Sequence, residues 1–247
     1  MKTSDIAMRD AFFDELYNIA KKDRQVILVS ADFGAPSLDK FRGDLSGQYI
    51  NVGIAEQNMV SIAAGLALAG KIVYMYAIAP FVTLRCYEQI KVDLCCMNLR
   101  VTGLGVGAGY TYDIMGPTHH AIEDIAIMCA LPGMTVLNPS DSVMAAAFAE
   151  ITYKNPGPKY VRFDREKLPL IYNGRTNDFS DGLTNLKTGR DLTIIATGIM
   201  VHQAFKVTEE LAKHSVDAGI IDLYRIKPLN EKLLLKAIGQ PKAIVTL

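Results

Sequence analysis

The sequence predicts an α/β fold in two units: a larger, doubly wound parallel sheet, then a smaller α/β unit. Three observations predict it. Short apolar runs such as QVILVS, IVYMYAI and KYVRF alternate with helical periodicity, the pattern of strands buried on both faces of a parallel sheet. The periodicity fades between Asp164 and Arg190, where Pro, Asn, Gly and Asp become frequent, and then resumes. Half of the 247 residues are hydrophobic, and 26 basic side chains balance 26 acidic ones, so a sizeable core can form. The same balance excludes a disordered chain and a polybasic nucleic-acid arm. The expected divisions are a first domain over 1–165, a linker over 166–189 and a second domain over 190–247.

Element by element, Ser4 is placed to cap a first helix in which Met8, Phe12, Leu16 and Ile19 share one face. QVILVS (Gln25 to Ser30) reads as a buried strand that ends near Asp32, and a Gly- and Pro-containing loop leads on to YINVG. A helix begins near Glu56; its MVSIAAGLALAG run is apolar almost all round, which suits burial or a subunit interface. IVYMYAI is the next strand, Thr83 to Met97 a helical stretch, and RVTGLGV another strand. After the loop from Gly109 to His120 a helix runs through Ile125 and stops near LPG; MTVLN, a helix from Asp141 and KYVRF follow. The second unit reads as DLTIIATG, a helix over Val201 to His214, VDAGIIDL, a helix after Pro228 and the strand KAIVTL. A buried parallel strand without a covering helix makes this unit look incomplete.

The N-terminal MKTSDIAMRD carries charges where a secretory signal needs an apolar stretch. The longest apolar run, Ile72 to Val82, is too short to span a bilayer and contains Pro80. Cys86, Cys95, Cys96 and Cys129 form no CxxC, and free thiols in a reducing cytoplasm are expected. No histidine spacing matches a zinc pattern.

Three constellations fall where strands end. In NVGIAEQN (Asn51 to Asn58), Glu56 follows a strand edge and opens an apolar helix. A carboxyl drawn into a low-dielectric crevice there keeps a proton available; a first-turn glutamate complementing the helix dipole has the same placement. In GPTHH (Gly116 to His120), His119 and His120 lie in a loop after a strand, suited to contact a substrate oxygen or to cap the helix opened by Glu123 and Asp124. In YVRFDREKLP, Arg162 and Arg165 offer guanidinium forks to a phosphate or carboxylate, or else pair with Asp164 or Glu166. Phe81, Arg85 and Tyr87 read either as core and surface or as a stacking wall. GLGVGAG (Gly103 to Gly109) is no dinucleotide fingerprint, since no helix opens directly after it. A Walker loop, a G-x-S-x-G elbow and a G-D-G with a following Asn are all absent.

In this order the segments ILVSAD, NVGIAEQNMVSIAAGLALAG, PFVTLRCYEQI, GPTHHAIEDIAIMCALPGMTVLNPSD, DLTIIATG and IDLYRIKPLN resemble the thiamine-diphosphate enzymes of the transketolase family. The resemblance covers the pyrimidine-binding domain and the start of the C-terminal domain. It implies that Glu56 bonds N1′ of the cofactor aminopyrimidine and so activates the thiazolium C2 carbon. It further implies Phe81 as the ring stacked on the pyrimidine, Asp32 as a cofactor-proximal aspartate, and His119, with His120 beside it, as substrate contacts. Arg165 matches a sugar-phosphate arginine, with Arg162 as its neighbour.

The family's diphosphate and metal site, for Mg²⁺ or Ca²⁺, belongs to a separate domain carrying G-D-G. The resemblance therefore implies the C-terminal subunit of a split transketolase, completed by an N-terminal partner subunit and self-associating into a heterotetramer. The implied activity is transfer of a two-carbon ketol unit from a ketose to an aldose. The alternatives are a decarboxylating enzyme, similar to deoxyxylulose-phosphate synthase or a 2-oxo acid dehydrogenase β chain, and a non-catalytic assembly or regulatory subunit. Two positions depart from the family: Met115 replaces an aspartate before G-P-T-H, and Gly107 stands where a donor-contacting histidine is usual. The chain also ends on KAIVTL without the segments with which the family continues, which suggests a truncated chain.

Overall fold

The computed structural model describes residues 3–173 and 178–247. The first unit runs α1 (Met8–Ala20), β1 (Val26–Ser30), α2 (Leu38–Asp44), β2 (Tyr49–Asn51), α3 (Glu56–Leu68), β3 (Ile72–Ile78), α4 (Ala79–Val82) and α5 (Tyr87–Gln89). A π-helical turn (Ile90–Cys95) leads to β4 (Val101–Val106), α6 (Asp124–Ala130), β5 (Thr135–Leu137), α7 (Ser142–Lys154) and β6 (Lys159–Phe163). The second unit runs β7 (Leu183–Lys187), β8 (Leu192–Ala196), α8 (Met200–Lys213), β9 (Ala218–Leu223), β10 (Arg225–Lys227), α9 (Glu231–Ile238) and β11 (Ala243–Thr246).

The strand order β10-β5-β6-β4-β3-β1-β2 builds a seven-stranded sheet, and β11-β8-β9-β7 a four-stranded one. All pairings from β5 to β2 are parallel, as the alternation of strand and helix demands. Side chains of successive strand residues point to opposite faces, and this divides the core in two. Leu28, Tyr74, Tyr76, Leu104, Val106, Val161 and Phe163 pack under α1 and α7, against Phe12, Phe13, Leu16 and Phe148. Val29, Val73, Met75, Ala77, Val101 and Tyr160 pack under α3 and α6, against Met59, Val60, Ala63 and Met128. Phe12, Phe13, Leu16 and Phe148 are fully buried, each contributing roughly 1.5–3 kcal/mol by removal of apolar surface from water.

Several sequence expectations are corrected here. Ser4 does not cap α1, which starts four residues later with Ala7 as its cap position; the Ser4 hydroxyl instead closes a turn with Ile6 and meets Ser142 Oγ at 2.8 Å. The parallel sheet expected of the first unit is present from β5 to β2, and each sheet gains one antiparallel edge strand, β10 on β5 and β7 on β9. The stretch expected as a linker, 166–189, contains strand β7, whose short polar-apolar run TNLK lies on a sheet edge. Residues 174–177 of that stretch lie outside the described residues. The loop after β1 contains a short helix, α2, held down by Leu38 and Phe41. The helical stretch from Thr83 is broken into short turns rather than one helix. Asp141, in contrast, caps α7 by accepting from the Met144 amide at 2.9 Å.

The units are joined by more than chain connection. β10 leaves the second unit to extend the first sheet, and Asn138 donates to Thr197 Oγ1 at 3.1 Å. Beneath it the fully buried Asp222 accepts from Ser140 Oγ and from Tyr172 Oη, and His202 Nε2 lies 2.7 Å from the Ser140 carbonyl. Burial pushes the Asp222 carboxyl up to about 7, against the lowering effect of those two hydroxyl donors.

Among the described residues no helix is long and apolar enough to cross a membrane.

Candidate active site

In an open parallel sheet, ligands bind outside the carboxyl ends of the strands, near the point where the strand order reverses. Here β1 connects outward to β2 on one side, while β3 and β4 continue on the other. Asp32 follows β1, Glu56 follows β2, Phe81 follows β3, His119 follows β4 and Arg165 follows β6. Parallel strands therefore bring all five to one edge of the sheet.

Glu56 opens α3 and is 4% exposed, on a helix whose Val60 and Ala63 are also buried. It is not an isolated carboxylate in an apolar crevice. Arg85 Nη1 donates to its Oε1 at 2.9 Å, and the Arg85 guanidinium lies 3.9 Å from the centroid of the Phe81 ring. A cavity of about 300 Å³ opens beside this pair, lined by Ile54, Ala55, Gln57 and Asn58. The next contact is His119, whose ring meets Phe81 edge-on with centroids 5.0 Å apart. Tyr112 follows, with its ring 6.1 Å from that of His119, and the Arg165 guanidinium lies 5.4 Å from the Tyr112 centroid. The side chains thus form one continuous row: Glu56, Arg85, Phe81, His119, Tyr112, Arg165.

The loop that carries His119 is fastened at its base. Gly109 and Ala121 exchange two backbone hydrogen bonds of 2.9 Å, which close the excursion between them. Under this clasp lies Asp124, fully buried at the start of α6. It accepts from Tyr160 Oη at 2.7 Å and from Arg162 Nε at 2.8 Å, while Arg162 Nη2 donates to the Ala121 carbonyl at 3.0 Å. Gly105 permits this, since a Cβ there would stand 2.7 Å from the Tyr160 hydroxyl. Burial pushes the Tyr160 phenol well above its usual range, and the adjacent Asp124 charge acts in the same direction. Burial also raises Asp164 to about 6, with Arg162 opposing it.

The structure therefore separates the sequence candidates. Glu56, Phe81, His119 and Arg165 line one face. Arg162 does not join them, because its fork is engaged by Asp124 and Ala121; it is a positioning residue for the histidine loop. It also pairs with neither Asp164 nor Glu166. His120 turns aside, with Nε2 3.3 Å from the Asp113 carbonyl and its ring against Tyr110. Asp32 is exposed at the same edge in a left-handed conformation (φ 55°), held by reciprocal bonds of 3.0 Å with the Asn51 amide side chain. Arg85, read from the sequence as surface or as part of a stacking wall, instead pairs with Glu56 over the Phe81 ring. Tyr112 is the member sequence reasoning missed, and its signal was a glycine, Gly107, with an aromatic five residues on. Among the described residues no group of three or more His, Cys, Asp or Glu side chains converges on a metal position.

Comparison with known proteins gives the family of the chain. Residues 4–171 match the transketolase pyrimidine-binding domain, and residues 183–247 match the transketolase C-terminal domain. The chain is 36% identical over 248 residues to one of the subunits of the apulose-4-phosphate transketolase of Phocaeicola vulgatus, covering 100% of this chain and 80% of that protein. It is also 36% identical to a 6-deoxy-6-sulfo-D-fructose transketolase subunit of a Clostridium species, covering 97% of this chain and 74% of that one. Among solved structures, a split-gene transketolase described as an inactive beta4 tetramer superposes with a TM-score of 0.88 at 31% identity, covering 98% of this chain and 79% of its own. With the strand-edge row of Glu56, Phe81 and His119 in place, the chain belongs to the transketolase family and is built from that family's pyrimidine-binding and C-terminal domains.

Proposed function

We propose that this chain is the pyrimidine-side subunit of a two-chain, thiamine-diphosphate-dependent transketolase, transferring a two-carbon ketol unit from a ketose to an aldose. The observation that carries the reading is the continuous row from the buried Glu56 carboxylate to the exposed Arg165 guanidinium. One end suits a weakly basic ring nitrogen, the other a phosphate.

The residues present fit the cofactor's aminopyrimidine: a carboxylate shielded from water, a cavity lined by that carboxylate and by Arg85, and the Phe81 aromatic ring on the far side of the Arg85 guanidinium. When bound, thiamine diphosphate supplies a nucleophilic carbon that takes up the two-carbon unit as the ketose C2–C3 bond breaks. Glu56 holds or returns a proton at the pyrimidine N1′, and its burial keeps water from competing for that proton. Phe81 orients the ring, and Asp32 lies at the cofactor edge. His119 reaches a substrate oxygen, with its Nδ1 steered by Thr118 Oγ1 at 3.0 Å, and His120 stiffens the loop behind it. Arg165 anchors the sugar phosphate.

The rest of the site comes from an N-terminal partner subunit, which holds the diphosphate and its Mg²⁺ or Ca²⁺. Its seat is the outer side of α3, where Gln57, Asn58, Ser61 and Gly65 are exposed, flanked by Ile54 at 79% and Leu68 at 62% exposure. The two domains both take part, the second including β7 from Leu183, and the assembly is a heterotetramer. A reducing cytoplasm suits the free thiols of Cys86, Cys95, Cys96 and Cys129.

The test is co-expression with a partner that carries G-D-G, then a donor screen of the purified complex. Ketose phosphates are expected to be consumed with formation of a new ketose and without CO₂. Consumption of pyruvate with release of CO₂ would instead establish the decarboxylating branch.

A further inference from the structure

Gly107 follows the last residue of β4 with φ +94°, a backbone conformation that side-chain-bearing residues rarely adopt. The volume a side chain would take there is already filled. A Cβ on residue 107 would lie 2.2 Å from Cε2 and 2.5 Å from Cδ2 of the Tyr112 ring. The ring therefore rests on bare backbone at the sheet edge. It stands between His119 on one side, with centroids 6.1 Å apart, and the Arg165 guanidinium on the other, 5.4 Å from its centroid. Arg9 and Arg165 both lie within electrostatic reach of the phenol, yet burial outweighs them and pushes it up, so it stays neutral. Met115 and Ile114, exposed in the same loop, add no polar group.

A phosphate held by Arg165 and a carbonyl carbon near the Phe81 end of the row must be joined by carbons that cross Tyr112. We propose that Tyr112 is a specificity-determining residue of the donor site. Its ring is an aromatic wall against which the carbons of a ketose phosphate beyond the transferred two-carbon unit pack. The inference rests on the transketolase reading above. Recognition at this point comes from packing on a flat apolar face rather than from a side-chain hydrogen bond to a hydroxyl.

Hydroxypyruvate separates the two readings. It delivers the same two-carbon unit, with CO₂ as the other product, and has no carbons to place on Tyr112. With one aldose acceptor common to all assays, the co-expressed complex is assayed with hydroxypyruvate and with D-xylulose 5-phosphate or D-fructose 6-phosphate. Tyr112→Ala is expected to raise the ratio of kcat/KM for hydroxypyruvate over the ketose phosphate by about tenfold, chiefly through the KM of the ketose phosphate. Tyr112→Phe keeps the ring and should restore the wild-type ratio. Gly107→Ala, which drives the ring from its seat, should shift the ratio as Tyr112→Ala does. A ring that mattered only for folding would lower both activities together, so a ratio within about twofold of wild type in Tyr112→Ala overturns the proposal. Wild-type complex that consumes neither donor would remove the transketolase reading, and this inference with it. Turnover of both donors with an unmoved ratio removes the inference alone.

Discussion

Replacing Glu56 with Gln leaves the chain folded and the two-chain complex unable to exchange the C2 proton of bound thiamine diphosphate. The two halves of this expectation have separate physical origins. Folding survives because the partner left behind, Arg85, has a side chain 43% exposed and can return to water. Ion pairs of that kind contribute about 0–1 kcal/mol. Activity does not survive, because an amide can accept a hydrogen bond from the pyrimidine but cannot hold or return a proton at its ring nitrogen. Loss of a positioned acid-base group costs roughly 10²- to 10⁴-fold in rate. Thermal unfolding of the variant checks the first half, and hydrogen–deuterium exchange at C2 followed by proton NMR checks the second. Exchange at the wild-type rate would remove Glu56 from this role.

Replacing Asp124 with Ala has the opposite profile, a large loss of stability. The Asp124 side chain is fully buried, and the Arg162 side chain is only 12% exposed. Without the carboxylate, the Tyr160 hydroxyl loses its acceptor, and the guanidinium, still bonded to the Ala121 carbonyl, remains inside the protein without its paired charge. Breaking one side of a buried pair costs about 3–5 kcal/mol, because the remaining charge cannot regain its hydration. For a chain of this length that is a fall in Tm of roughly 10 °C. Replacing both partners together, Asp124→Leu with Arg162→Met, should recover part of the loss, since no buried charge then remains. A Tm for the single variant within about 2 °C of wild type would contradict the burial argument. In the double variant the loop bearing His119 keeps the Gly109–Ala121 backbone bonds and loses the Arg162 bond to the Ala121 carbonyl.

Arg162 also shows where sequence reasoning stops. Its neighbour Arg165 lies two residues past the end of β6 and is legible as a strand-edge cation. Arg162 lies inside the strand, opposite Gly105 and on the same face as Tyr160. That face meets α6, where Asp124 supplies the carboxylate. Parity along KYVRF is readable in the letters, but which helix covers which face depends on strand order, which is set by the whole chain. The same limit applies to Tyr112. Gly107 stands out in the sequence as a departure, whereas the ring that fills its space is placed by a loop with no periodicity to read.

Glu56, Phe81 and His119 are legible for the converse reason. Phe81 and His119 each follow a fully buried strand, Glu56 opens the apolar run of α3, and in a parallel sheet the strand ends arrive at one edge. β7 is hidden because TNLK has too few apolar residues to stand out from its polar surroundings, and its place comes from pairing with β9. Ser4 misleads because a cap residue is available before the true start of the helix. Capping preference is worth about 1 kcal/mol, less than burial of the side chains of α1.

The central claim is that this chain supplies the pyrimidine side of an active site whose diphosphate and metal side lies on a partner. Calorimetric titration of thiamine diphosphate tests it most directly, using the chain alone and the co-expressed complex, each with and without Mg²⁺. Weak binding to the chain alone, indifferent to Mg²⁺, is expected, with tight, Mg²⁺-dependent binding to the complex. Tight, metal-dependent binding by the isolated chain would contradict it.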